Sequence, residues 1–406
     1  MSGNDAATAA GKGTPFADRD AQRLLRLLAA GAFLVFFQAF MIAPLLPRLA
    51  ELFDSSTSAV GWAIPAYLVP YGVMTLVWAP LSDRFGRGPV ILGSLVAFVV
   101  LTASTALAQG AVPFVAARLV TAVGASGVVP IALALVGDRF DYRRRGHALG
   151  WLFGAMAGGT AFGSSMGALL EPVVGWRGLF VGVAAAGLVL FGLLWRERDR
   201  LGAATGTRRT VRQIAGGYTS LLGDRRARRT YGYVLVNSML HGGIYAWLGL
   251  YFERRYDLSI AGIGLALLGY GVPGLAFGSL IGRLADCNGR ARLIPLGVAL
   301  AGLCSLVLAP DVPLIVAALV VAVLSLGYDL TQPLLAGIVT QLPGQRGQAM
   351  GLNVFTLFVG FGLGSAVFQA VLEASLNLAL VSFGTAGILA AAVAVPLFRT
   401  ERPAAP

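Results

Sequence analysis

The sequence predicts an all-α membrane protein: twelve transmembrane helices in two pseudo-symmetric six-helix bundles. Of its 406 residues, 57% are hydrophobic and 12% charged, against roughly 25% charged in an average soluble domain. Twelve apolar stretches approach the length of about 20 residues that a bilayer core about 30 Å thick requires at about 1.5 Å per residue. One short pattern occurs twice, as Leu81-Ser82-Asp83-Arg84-Phe85-Gly86-Arg87 and as Leu284-Ala285-Asp286-Cys287-Asn288-Gly289-Arg290. Asp83 and Asp286 are 203 positions apart, Gly146 and Gly347 are 201, Gly150 and Gly351 are 201, and Glu171 and Glu373 are 202. Agreement at separate landmarks marks a duplicated half, and parallel duplicated halves are typical of membrane transporters.

The predicted spans are 24–46, 59–79, 90–109, 112–136, 148–170 and 178–196, then 230–251, 259–281, 292–309, 312–336, 349–372 and 377–398. The expected organisation is a cytoplasmic tail (1–23), an N-terminal bundle (24–196), a cytoplasmic linker (197–229), a C-terminal bundle (230–398) and a second cytoplasmic tail (399–406). The first apolar run exceeds a signal-peptide core and is expected to remain as a helix. The linker has an apolar stretch around Ile214 to Leu222; an amphipathic surface helix and a solvated linker are equally open readings.

Charge sets the orientation. Of 31 Lys and Arg, 26 fall on one side, four on the other (Arg48, Arg177, Arg254 and Arg255) and Arg118 within a span. The positive-inside rule then places both termini in the cytoplasm. This asymmetry explains the net charge of +12 without nucleic acid. Thirty arginines against one lysine fit a GC-rich bacterial source and hence the bacterial inner membrane. Cys287 and Cys304 suit neither a disulfide nor a metal site. With no nucleotide loop, metal cluster or nucleophile beside a base, an enzyme is not expected.

The doubled loop, the six-plus-six spans and the cytoplasmic middle resemble the major facilitator superfamily across essentially the whole chain. In that family the loop after the second span is approximately G-x-L-x-D-R-x-G-R-R. The first copy here departs at both ends, with Ala79 and Gly88, while the second begins with Gly282 and has Cys287 for the arginine. The resemblance implies a conformational gate at Asp83, Arg84, Gly86, Arg87, Gly282, Asp286, Gly289 and Arg290, with Asp138, Asp141 and Arg143 completing a charge network. Asp83 is expected to face the positive end of the eleventh span near Gln348, and Asp286 that of the fifth near His147.

Span four, from Arg118 to Gly127, is similar to the R-x-x-Q-G-x-G element of proton-coupled members, with Thr121 for Gln and Ala122 for the first Gly. An intramembrane arginine usually serves function or pairs internally; snorkelling is the competing reading, since Arg118 lies about 9 Å from the outer end. Span five carries Gly163-Ser164-Ser165-Met166-Gly167-Ala168 where drug/proton antiporters of the family have G-P-x-x-G-G. Gly159, Gly163 and Gly167 form its exporter-type ladder, whose small residues at fourfold spacing favour close helix packing over substrate contact.

Asp329 is the acidic residue well inside a span, and a carboxylate in low dielectric is a natural proton carrier. Pairing with a cytoplasmic arginine is the alternative. His241 is a second titratable group and packing its alternative; their estimated depths differ by about 7 Å. The resemblance puts spans one, four, seven and ten around a central cavity, which gathers Gln38, Arg118, His241 and Asp329. Tyr67, Asn237, Tyr245, Tyr270, Gln332 and Asn353 are the further cavity residues. Gln38 stands where many exporters of lipophilic cations carry an acid, so a neutral or anionic amphiphile suits this chain at least as well.

The expected function is proton-coupled efflux of a small hydrophobic or amphiphilic compound, a drug or metabolite, by alternating access, as in multidrug resistance. Asp329, Arg118 and His241 are the coupling residues. The alternative is an importer or uniporter of a sugar or organic acid; a non-transporting receptor or membrane enzyme is more remote. Expected partners are substrate, protons and the bilayer, with no cofactor, no metal and no nucleic acid, for a monomer.

Overall fold

Apolar runs become helices because a chain in lipid must satisfy every backbone polar group internally. The computed structural model describes residues 15–139, 142–201, 211–273, 289–342 and 346–401, and every regular element among them is helical. The first half comprises α1 (Pro15–Phe40), α2 (Leu46–Leu52), α3 (Thr57–Gly61), α4 (Pro65–Phe85), α5 (Arg87–Thr105), α6 (Ala111–Ala125), α7 (Val128–Arg139) and α8 (Tyr142–Arg196). A linker helix, α9 (Val211–Gly223), leads to α10 (Arg225–Tyr256) and α11 (Ile260–Leu267). The remainder is α12 (Arg290–Leu308), α13 (Leu314–Asp329), α14 (Gln332–Val339), α15 (Arg346–Leu372) and α16 (Leu376–Leu397).

Nine segments among the described residues are long and apolar enough to cross a membrane. One of them, Trp151–Arg196, holds two predicted spans, which part where Gly175 takes φ +68°. The predicted seventh span lies in α10, and α11 begins the eighth, whose later residues lie outside the described ones. The helix count is thus consistent with twelve.

Packing reproduces the sequence repeat. A Cβ on Gly159 would sit 2.5 Å from Phe33 O, and one on Gly163 2.6 Å from Phe37 O. In the second half, 201 positions on, a Cβ on Gly360 would lie 2.9 Å from Leu235 O and one on Gly364 2.1 Å from Met239 O. The same small-residue contact therefore seats the fifth span on α1 and α15 on α10. Gly86 and Gly289, 203 positions apart, both take positive φ (96° and 75°) ahead of α5 and α12. That conformation disfavours any residue with a Cβ, which explains the glycine in both loop copies.

Prolines break two spans at equivalent places. Pro130 and Pro333 are also 203 apart, and neither can donate to the carbonyl four residues back. α6 gives way to α7 at Ser126–Gly127, and α13 to α14 at Leu330–Thr331. Asp329 occupies the second-half counterpart of Ser126, which in the first half meets Trp78 Nε1 at 2.9 Å.

Candidate functional site

A cavity between the halves is walled by Phe36 of α1 and by Met156 and Thr160 of α8 on one side. Tyr270, Ser325, Asp329, Gln332 and Phe361 wall it on the other. Its volume is about 60 Å³, room for water but below the roughly 300–1,000 Å³ of small-molecule sites. The break at Pro333 sets Asp329 at the end of α13, in the cavity wall. The carboxylate's hydrogen-bond partner is Ser325 Oγ, at 3.4 Å, and among the described residues it has no ion pair, so the arginine pairing is not found.

His241 does not bond Asp329. Its Nδ1–H donates to Asn237 O at 2.9 Å within α10, and its ring lies 5.2 Å from that of Tyr328, the neighbour of Asp329. Among the described residues the side-chain amides of Asn237 and Gln332 and Asn353 Oδ1 have no hydrogen-bond partner. Asn353 sits one helical turn before Leu357, which lines the cavity, and two turns before Phe361.

Arg118 is elsewhere. It is fully buried and does not snorkel. Its Nη1 donates to Gln38 O (3.2 Å) and Nη2 to Ala39 O (3.0 Å), and its guanidinium lies 4.1 Å from the Tyr67 ring centroid. Pro44 is the local cause: it interrupts the first span, so carbonyls at the end of α1 accept from side chains. Phe40 O, which Pro44 cannot serve, accepts from Ser164 Oγ at 3.2 Å. Among the described residues the side-chain amide of Gln38 and the Tyr67 hydroxyl lack partners in this second cluster. Phe358 stacks on Tyr71 at 4.1 Å and meets Phe36 at 5.2 Å, linking the cluster to the cavity wall.

Of the predicted cavity residues, Tyr270 and Gln332 line the Asp329 cavity, and the Tyr245 ring lies 4.0 Å from that of Tyr270, tilted by 38°. Gln38 and Tyr67 fall in the Arg118 cluster, Asn237 beside His241. Reasoning from sequence missed Phe36, Met156, Leu357 and Phe361, whose apolar side chains look like any lipid-facing residue. Gly159, Gly163 and Gly167 face backbone of α1 and the turn after it, so their role here is packing.

Hydrogen bonds join the halves on the side bearing the α2–α3 turn. Tyr245 OH lies 2.7 Å from Ser164 Oγ and 3.2 Å from Thr160 O. Ser58 Oγ donates to Glu373 Oε1 (2.6 Å), and Gln369 Nε2 donates to Ser58 O (2.8 Å). At the opposite end Arg87 Nη1 donates to Ser82 Oγ at 2.5 Å, Arg84 lies over the Phe85 ring, and Arg290 lies beside Gly337 of α14. Gln348, the expected neighbour of Asp83, donates to Ile214 O of α9 at 3.3 Å. Asp141, Gly282 and Asp286 lie outside the described residues, as do the side chains of Asp83, Asp138 and Arg143.

A helical, multi-pass membrane protein with a cavity between repeated halves is the architecture of a transporter. The chain belongs to the Major Facilitator Superfamily, whose profile matches residues 28–365 and 256–406. It is 29% identical to the MFS-type transporter YwfA of Bacillus subtilis (strain 168), over 91% of this chain and 88% of that protein. A chloramphenicol resistance protein of Pseudomonas aeruginosa is 32% identical over 157 residues, 38% of each chain. The solved structure of a D-xylose-proton symporter shares the fold, with TM-score 0.75 and 17% identity over 92% of this chain and 97% of that one. Members of the family are transporters of small molecules.

Proposed function

We propose that this transporter exports a small hydrophobic or amphiphilic compound from a bacterial cytoplasm in exchange for protons, by alternating access. One observation carries the reading: Asp329 stands at a helix break in the wall of an inter-half cavity with no cation to neutralise it among the described residues. A carboxylate so placed takes a proton from one side and releases it to the other as the halves 24–196 and 230–398 rock about the cavity. Aromatic walls receive the apolar part of the substrate. The unpartnered amide of Gln332 in the cavity wall receives its polar groups, since unpaired buried donors and acceptors are costly. In this reading the contacts of Tyr245, Ser58 and Glu373 close the outer side. Arg118 positions the broken first span, and His241 holds Tyr328 beside Asp329.

Chloramphenicol is the first probe, neutral and amphiphilic, and named in a relative. In everted vesicles with an acidic interior, the protein accumulates it, and D329N does not. Uptake into right-side-out vesicles under an inward proton gradient would instead establish an importer.

A further inference from the structure

A groove of about 430 Å³ runs along the lipid-facing seam between the start of α10 and the end of α16, away from the transport cavity. Arg228, Gly232 and Val236 follow one another at fourfold spacing along α10, and Leu389 and Val393 form the opposite wall. Leu389 is 62% and Val393 54% exposed, so no other described helix covers the groove. Its floor is closed by Tyr233, whose hydroxyl donates to Ala390 O at 3.0 Å. Gly232 keeps it open, since a Cβ there would meet nothing within 4 Å.

The charge at its mouth is unpaired. Arg229 is committed to Glu401 and to Leu397 O, whereas the exposed Arg228 guanidinium has no hydrogen bond or ion pair among the described residues. Arg225, one turn further from the membrane on the same stripe, is likewise exposed. From Arg228 to Val236 the groove descends about 12 Å, most of a leaflet about 15 Å deep. A cation at headgroup depth above an apolar slot one acyl segment long matches one kind of occupant.

We propose that this groove is a binding site for an anionic phospholipid, its phosphate on Arg228 and an acyl chain between α10 and α16. The inference needs these helices to span the bilayer and is independent of what the transporter carries.

Native mass spectrometry of the purified full chain tests it, with palmitoyl-oleoyl phosphatidylglycerol against phosphatidylcholine of the same chains. Wild type is expected to retain phosphatidylglycerol in preference. R228Q lowers that occupancy about five-fold, the factor expected for one headgroup-level arginine, and leaves phosphatidylcholine unchanged. G232L, which fills the slot, lowers both. Equal occupancy by the two lipids in wild type, or unchanged phosphatidylglycerol occupancy in R228Q, overturns the proposal. R228Q decides even where G232L does not fold, because the Arg228 guanidinium has no hydrogen bond or ion pair to lose among the described residues.

Discussion

Tyr245 and Ser164 join the two halves of the molecule, hydroxyl to hydroxyl, at 2.7 Å. Ser164 stands where drug/proton antiporters of the family carry the proline of their fifth-span motif, and its own proton goes to Phe40 O. The departure from the motif thus supplies a relay from α10 through α8 to the broken end of α1.

Removing either end of that relay should loosen the closed state. Y245F and S164A are each expected to cost about 1 kcal/mol, with a double mutant close to either single one. Thermal unfolding in detergent gives the cycle; full additivity would show that the hydroxyls do not act together.

Arg118 bonds carbonyls that have no other use for their lone pairs. R118A is expected to lose about 1.5–3 kcal/mol for a charge-assisted bond, and R118K, which lacks the planar fork, to recover part of it. A thermal midpoint for R118A equal to wild type would show that the guanidinium does not hold the first span.

The glycine ladder separates packing from coincidence. G163A brings a Cβ to 2.6 Å from Phe37 O and is expected to destabilise by about 1–3 kcal/mol. G154A, with nothing within 4 Å, should be neutral or slightly stabilising. G364A should repeat the G163A effect in the second half; melting curves of the three variants check this.

The repeat makes much of the fold legible in the sequence. Asp83 with Asp286 and Gly86 with Gly289 announce a duplication, because a turn glycine with positive φ cannot drift. The fifth-span ladder was legible as packing for a similar reason: Gly159 and Gly163 sit against backbone, where no side chain fits. The site was less legible. Arg118 finds its partners in backbone carbonyls, which leave no mark in sequence, and Phe36, Met156, Leu357 and Phe361 are apolar in a chain where lipid-facing residues are too. Asp329 was visible because a carboxylate in a span is expensive; its separation from Arg118 was not, because it depends on where two prolines break two helices.

Glu401 offers a test outside the membrane. Burial alone would raise its carboxyl, but hydrogen bonds and charge from Arg226 and Arg229 outweigh that and hold it below the usual range. A depressed acid stabilises the folded state above its unfolded pKa and loses that contribution as pH falls through its folded one. The difference in thermal midpoint between wild type and E401Q should be constant above about pH 5 and close below about pH 4.3. A gap that widens on acidification would contradict the pairing.

The central claim is that Asp329 carries the exchanged proton. Adding chloramphenicol to the purified protein in weakly buffered detergent, with a pH indicator, measures it most directly. The account predicts proton release on binding by wild type and none by D329N, with D329N still binding the compound. Equal release from both proteins would contradict it.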